Sequence, residues 1–121
     1  MKPLLAKDLT TFLKRFDNFK GGEFRHIKVI SPTTITVVFA VQDSAKEFNW
    51  ININFKFNGV IDAKILDSSK LSLIDMDNGI NFIYENSIFA FTLDNYNTIS
   101  NIKNSTFYIL CSSIKFQEDL F

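Results

Sequence analysis

Trp50-Ile51-Asn52-Ile53-Asn54-Phe55-Lys56-Phe57-Asn58-Gly59 is the stretch whose reading decides the fold class. Ile51, Ile53, Phe55 and Phe57 alternate with Asn52, Asn54, Lys56 and Asn58. Side chains on a strand point to opposite faces in turn, so this alternation predicts an antiparallel strand with one face in the core and the other in water. Trp50 falls on the polar side of the register. Two readings stay open for it: a bulge that turns it inward, or a place on the open face of the sheet. Asn58-Gly59 suits a two-residue turn because both residues tolerate positive φ, so the strand is expected to fold back onto Val60–Leu66.

Upstream, Ile35, Val37, Phe39 and Val41 keep the same period against Thr34, Thr36, Val38 and Ala40. Two apolar residues in the outward set predict a central or partly covered strand. Ser31-Pro32-Thr33 reads as the turn before it, following a strand that starts at Glu23. Further back the period changes. Leu9, Phe12, Leu13 and Phe16 line one face of a helix while Lys7, Thr10, Thr11 and Lys14 take the other, which predicts a helix over about residues 6–17. Gly21-Gly22 closes the connection that follows.

Downstream, Asp67-Ser68-Ser69-Lys70 reads as a loop. Asp77-Asn78-Gly79 reads as a hairpin joining Leu71–Met76 to Ile80–Glu85. Glu85-Asn86-Ser87 leads into a strand over Ile88–Leu93, Thr106–Phe116 forms the last strand, and Gln117–Phe121 is a short tail. The elements add up to a single domain over residues 1–121 of α+β class: an N-terminal amphipathic helix packed on an antiparallel sheet of about six or seven strands.

Composition fits an ordered domain, with 46% hydrophobic and 21% charged residues and only four Gly and two Pro. Thirteen basic side chains balance thirteen acidic ones, so the chain as a whole has no net field to draw in nucleic acid or an anionic membrane, and neither is expected as a partner. Cys111 is alone, and the Met1-Lys2-Pro3-Leu4-Leu5 start lacks the apolar run of a secretion signal. Both predict a cytoplasmic protein. No apolar stretch reaches the roughly 18 residues of a spanning helix.

Chemistry-bearing residues are sparse. His26 is the single histidine and reads as a strand residue facing solvent. Cys111 lies within a strand, where a thiol behaves as a small hydrophobe. Asp75-Met76-Asp77-Asn78-Gly79 starts like a calcium loop, but Ile80 stands at the required glycine and Asn86 at the bidentate Glu, so a turn explains it better. Gly21-Gly22 lacks the Lys of a phosphate loop. Asp62, Asp67, Asp75 and Asp77 would support hydrolysis only if two of them converged in space. Catalytic, metal-ligating and cofactor-binding residues are therefore not assigned, and no cofactor is expected.

Gln42-Asp43-Ser44-Ala45-Lys46-Glu47-Phe48-Asn49-Trp50 has a different character, a polar and charged loop running into Phe and Trp. That is the make-up of a contact surface. Asp43, Lys46, Glu47, Asn49 and Trp50 are its candidate partner-binding residues.

Arg15-Phe16-Asp17-Asn18-Phe19, Val41-Gln42-Asp43 with Phe48-Asn49-Trp50-Ile51, and Ser113-Ile114-Lys115-Phe116 together resemble a group of small bacterial proteins, largely uncharacterised, some of which are immunity proteins encoded beside secreted toxins. The resemblance implies a stand-alone domain that binds a partner protein and performs no chemistry, with no residue role carried over. The expected function is thus a non-catalytic protein-binding domain of the immunity type, with another protein as partner. Self-association through an unpaired edge strand is a further expectation. The alternative is a small-molecule carrier with an aromatic-lined pocket between sheet and helix, walled by Phe55, Phe57, Phe82 and Phe91.

Overall fold

The computed structural model describes all of residues 1–121. A two-residue strand β1 (Lys2–Pro3) and a 3-10 turn at Ala6–Asp8 lead into helix α1 (Leu9–Arg15). Strands β2 (Glu23–Ser31), β3 (Thr34–Asp43) and β4 (Asn49–Asn58) follow, then β5 (Asp62–Lys64), β6 (Ile80–Glu85), β7 (Ile88–Leu93), the short helix α2 (Ile99–Ile102), β8 (Tyr108–Cys111) and β9 (Ser113–Leu120). The α+β assignment with antiparallel pairing stands. The strand count and the single sheet do not: nine strands form a five-stranded sheet, order β1-β9-β4-β3-β2, and a four-stranded sheet, order β5-β8-β7-β6.

The reason lies at one corner. Val60 and Ile61 do not turn back along β4; their amide nitrogens donate to Thr33 and Leu110 carbonyls, and the chain crosses to the second sheet. Beside it, β8 passes to β9 at Ser112, whose N–H donates to the carbonyls of Asn58 and Gly59. What reads in sequence as a hairpin at Asn58-Gly59 and as one strand over Thr106–Phe116 is thus a pair of strands changing sheets together, a known way of making sandwich corners. Gly59 has the positive φ (+64°) that a hairpin would also need. The requirement is the same; the destination differs.

Other segments depart from the sequence reading in smaller ways. Leu71–Met76 is not a strand: Ser68–Leu73 forms 3-10 turns lying beside β2, and β6 pairs only with β7. The expected turn at Asn86-Ser87 is present, both residues having left-handed φ (50° and 64°). The helix is shorter than predicted because Ala6–Asp8 is 3-10 and the chain turns left-handed at Asp17–Phe19 (φ 51°, 54° and 65°). The expected tail is mostly strand, Gln117–Leu120 pairing with Asn54–Ile51.

Burial explains the architecture. Ile51, Ile53, Phe55 and Phe57 of β4 are buried beside Ile35, Val37, Phe39 and Val41 of β3. The second sheet supplies Phe82, Phe89, Phe91, Leu93, Phe107, Ile109 and Cys111 to the same core. Phe91 sits 5.2 Å from Phe57 and 6.0 Å from Phe39, ring centre to ring centre, so the two inner faces interlock. Helix α1 closes one side through Phe12, whose ring lies 5.8 Å from Phe55 and 4.9 Å from Phe116. The outer face of the second sheet is covered as well, Ala90, Tyr108 and Leu110 packing with Ile102 of α2. The outer face of the five-stranded sheet is the large uncovered surface.

A Cβ at Gly59 would stand 2.0 Å from Ser112 Oγ and 3.0 Å from its Cβ. Gly59→Ala should therefore destabilise the fold by about 1–3 kcal/mol, from steric overlap added to the left-handed backbone. Gly59→Ala/Ser112→Gly should recover only the steric part, which a double-mutant cycle in urea denaturation resolves. Equal stability of Gly59→Ala and wild type would contradict the corner geometry.

Candidate partner-binding surface

The β3–β4 connection carries the stretch singled out from sequence, and its geometry starts with Asp43. The Asp43 side chain is wholly inaccessible to solvent (0%). Arg15 from the end of α1 donates to both carboxylate oxygens, Nε to Oδ1 at 2.9 Å and Nη2 to Oδ2 at 2.6 Å, and Nη2 also bonds the Glu118 carboxylate of β9. The Asp43 Oδ1 additionally accepts the Ala45 amide at 2.9 Å, and Ser44 Oγ donates to the Arg15 carbonyl at 2.7 Å. Asp43 is therefore a structural anchor that ties α1 to β3 and β9. It leaves the candidate contact set, because a carboxylate already saturated beneath Arg15 has no accessible atom to offer.

The other four sequence candidates are exposed: Lys46 and Glu47 in the connection, Asn49 and Trp50 at the start of β4. Trp50 pairs with Gln42 across β3–β4 in an unbroken register, so no bulge turns it inward. It lies on the open face of the five-stranded sheet, 40% exposed. Two neighbours were not among the expected contact residues. Phe48 is 64% exposed, and the Phe121 ring, 67% exposed, packs 5.9 Å from Trp50 with the Arg25 guanidinium 5.4 Å from its own centre. Phe48 could have been suspected from its place in the loop, whereas Phe121 and Arg25 are joined to Trp50 only by tertiary structure.

The backbone here is strained. Glu47 and Phe48 both take left-handed conformations, φ 58° and 62°. Such residues without the freedom of glycine cost of order 1–3 kcal/mol each, and the surrounding structure must hold them. The hold is visible: the Phe48 N–H donates to the Asp43 carbonyl at 2.9 Å, and Gln42 Nε2 donates to the Phe48 carbonyl at 3.3 Å. Next to Phe48 lies a surface hollow of about 350 Å³ bordered by Lys14, Lys20, Asp17 and Ser44.

Elsewhere, three of the four aspartates weighed from sequence are held in contacts of their own. Asp62 accepts from the Tyr108 hydroxyl at 3.2 Å and lies 3.6 Å from Lys103 Nζ. Asp67 accepts from the Ser69 amide and Asp75 from the Asp77 amide, both local turns. No group of three His, Cys, Asp or Glu side chains is gathered in a metal-binding arrangement. His26 is exposed on β2, and Cys111 is fully buried, its thiol pushed up to about 12 by that burial. Phe55, Phe57, Phe82 and Phe91 do not wall a pocket. They pack against one another at 5.2–6.3 Å, and none borders any of the surface hollows. No helix is long and apolar enough to cross a membrane.

Comparison with protein-family models, with curated proteins and with solved structures found no match in any of the three.

Three outcomes follow from the buried groups. The hydrogen bonds from Arg15 hold the Asp43 carboxyl below its ordinary range against the opposing effect of burial. A depressed native value stabilises the fold at pH above the unfolded value, near 3.9 for Asp, and that contribution disappears as pH falls through the native value. Asp43→Asn should thus lower stability at pH 7 and flatten its decline below about pH 4 in urea titrations. Arg15→Met, which strands the buried carboxylate, should cost about 2 kcal/mol at pH 7, below the cost for a fully buried pair because Arg15 is 29% exposed. Cys111 should stay unmodified by a thiol reagent at pH 8 in the native protein and react at once in denaturant.

Proposed function

We propose that this chain is a non-catalytic protein-binding domain, of the kind by which an immunity protein neutralises a bacterial toxin. The observation that carries the reading is the exposed ring pair of Trp50 and Phe121 at one end of the uncovered sheet face, with Arg25 against Phe121 and with Lys46, Glu47 and the exposed Phe48 in the adjoining β3–β4 connection. Exposed aromatic rings beside charged side chains are the composition of binding hot spots, where a few residues carry most of the affinity. The backbone strain at Glu47-Phe48 supports the same reading, since it holds a ring out in water instead of relaxing it into the core.

Neutralisation in this form needs no catalytic group. A partner's working surface is blocked when a complementary face of about 800 Å² covers it. Four long strands about 4.8 Å apart and up to ten residues long present roughly 20 by 30 Å, which is the right scale.

The test is affinity capture from a bacterial host lysate with wild type, Phe48→Asn/Trp50→Ala, and Ile61→Ala as an exposed control beyond the far end of β4. One stoichiometric protein should be retained by wild type and by Ile61→Ala and lost by the double variant. Phe48→Asn alone should keep or raise the thermal midpoint, because Asn tolerates the left-handed backbone and the mostly exposed ring gives up little buried area. A partner held equally by the double variant, or none held by wild type, would overturn the proposal.

A further inference from the structure

The register across the uncovered sheet face places charges that the sequence keeps far apart in one row. Lys56 of β4 stands directly opposite Lys115 of β9. On its other side Lys56 faces Thr36 of β3, which in turn faces Lys28 of β2. All four side chains lie on the open face, because their neighbours Phe55, Phe57, Ile35, Val37 and Ile114 point into the core. Three lysines and one threonine therefore cross four strands in about 14 Å. No acidic residue stands in this row or in the rows beside it, which carry Ser113, Asn58, Thr34 and Ser31 on one side and Gln117, Asn54, Val38 and His26 on the other.

One feature of the row has no structural benefit to the isolated chain. Like charges directly opposite on neighbouring strands destabilise a sheet, yet Lys56 and Lys115 are so placed and neither forms an ion pair. Unpaired cations set side by side call for a partner that brings carboxylates.

We infer that the lysine row of Lys28, Lys56 and Lys115 receives an acidic protein surface, as the electrostatic half of the interface whose aromatic half is Trp50 and Phe121. The inference rests on the protein-binding reading and names the partner's charge. Nucleic acid fits less well, although it too is anionic. A single strand needs aromatic platforms interleaved with its cations, and the rows around the lysines hold no Phe, Tyr or Trp and only the one imidazole of His26. Trp50 lies six residues along β4 from Lys56, about 20 Å away. Negative charge on the partner opposite the lysines would also fix the orientation in which it docks on the rings.

The experiment has two arms. In the first, amide chemical shifts are followed while acetylated hexaglutamate, hexalysine or an eight-nucleotide thymidine strand is added to wild type and to Lys56→Gln/Lys115→Gln. Hexaglutamate should shift residues 28, 36, 56 and 115, and the double variant should bind it about tenfold more weakly, as expected for two exposed ion pairs. The same variant should have a higher thermal midpoint, because the opposed charges are gone; a lower midpoint would mean that the lysines serve the fold. No shift at the row, equal binding by the double variant, or tighter binding of the thymidine strand would overturn the inference. The second arm repeats the host capture with Lys56→Gln/Lys115→Gln. Weakened capture supports the inference, and full retention removes the acidic partner while leaving the protein-binding reading standing. Absence of capture by wild type removes that reading, and the inference built on it falls too, whatever the first arm shows.

Discussion

Phe55 is where the helix and both sheets meet. Its ring lies 5.8 Å from Phe12 of α1, 6.2 Å from Phe39 of β3, 6.0 Å from Phe57 of its own strand, and 5.5 and 6.3 Å from Phe82 and Phe91 of the second sheet. Aromatic pairs in these tilted and edge-on arrangements add about 0.5–1.5 kcal/mol each beyond the area they bury. A core built around one strand's inner face makes the inner positions of β4 intolerant of change. The same strand's outer positions carry no such duty.

That division organises the rest of the molecule. The second sheet buries both faces, one against the Phe55 cluster and the other beneath α2, so it has little surface left for recognition. The five-stranded sheet buries one. Arg15 bridging Asp43 and Glu118 fixes the end of that sheet to the helix, and this lock sets the β3–β4 connection in the conformation that projects Phe48. The rings at one end and the lysines toward the other thus sit on a frame held from behind by the aromatic core.

Much of this frame is legible in sequence because it rests on local period. The alternation over Ile51–Asn58 and over Thr34–Val41 and the helical spacing of Leu9, Phe12, Leu13 and Phe16 are all set by neighbours one to four residues apart, whereas the side on which Trp50 lies stays open in sequence and is decided by the unbroken pairing of β3 with β4. The second sheet is not legible in that way. Gly59 satisfies a tight hairpin and a sheet-changing corner equally well, and only the distant Ser112 decides between them. Asp43 reads as a loop carboxylate because its partner, Arg15, is 28 residues away in sequence. The lysine row is invisible for the same reason: Lys28, Lys56 and Lys115 become neighbours only once the register of four strands is fixed. The strands that carry the candidate surface were therefore readable, and the pairing of side chains across them was not.

The most direct test of this account is an alanine scan of residues 50–57 read by urea denaturation. Inward positions Ile51, Ile53, Phe55 and Phe57 should each cost about 2–5 kcal/mol. Outward positions Asn52, Asn54 and Lys56 should stay within about 0.5 kcal/mol of wild type or gain stability, and Trp50, which loses its contact with Phe121, should cost about 1 kcal/mol, giving a sawtooth of period two. Outward substitutions as costly as Phe55→Ala would contradict the account, because the open face would then be serving the fold and would not be free to serve a partner.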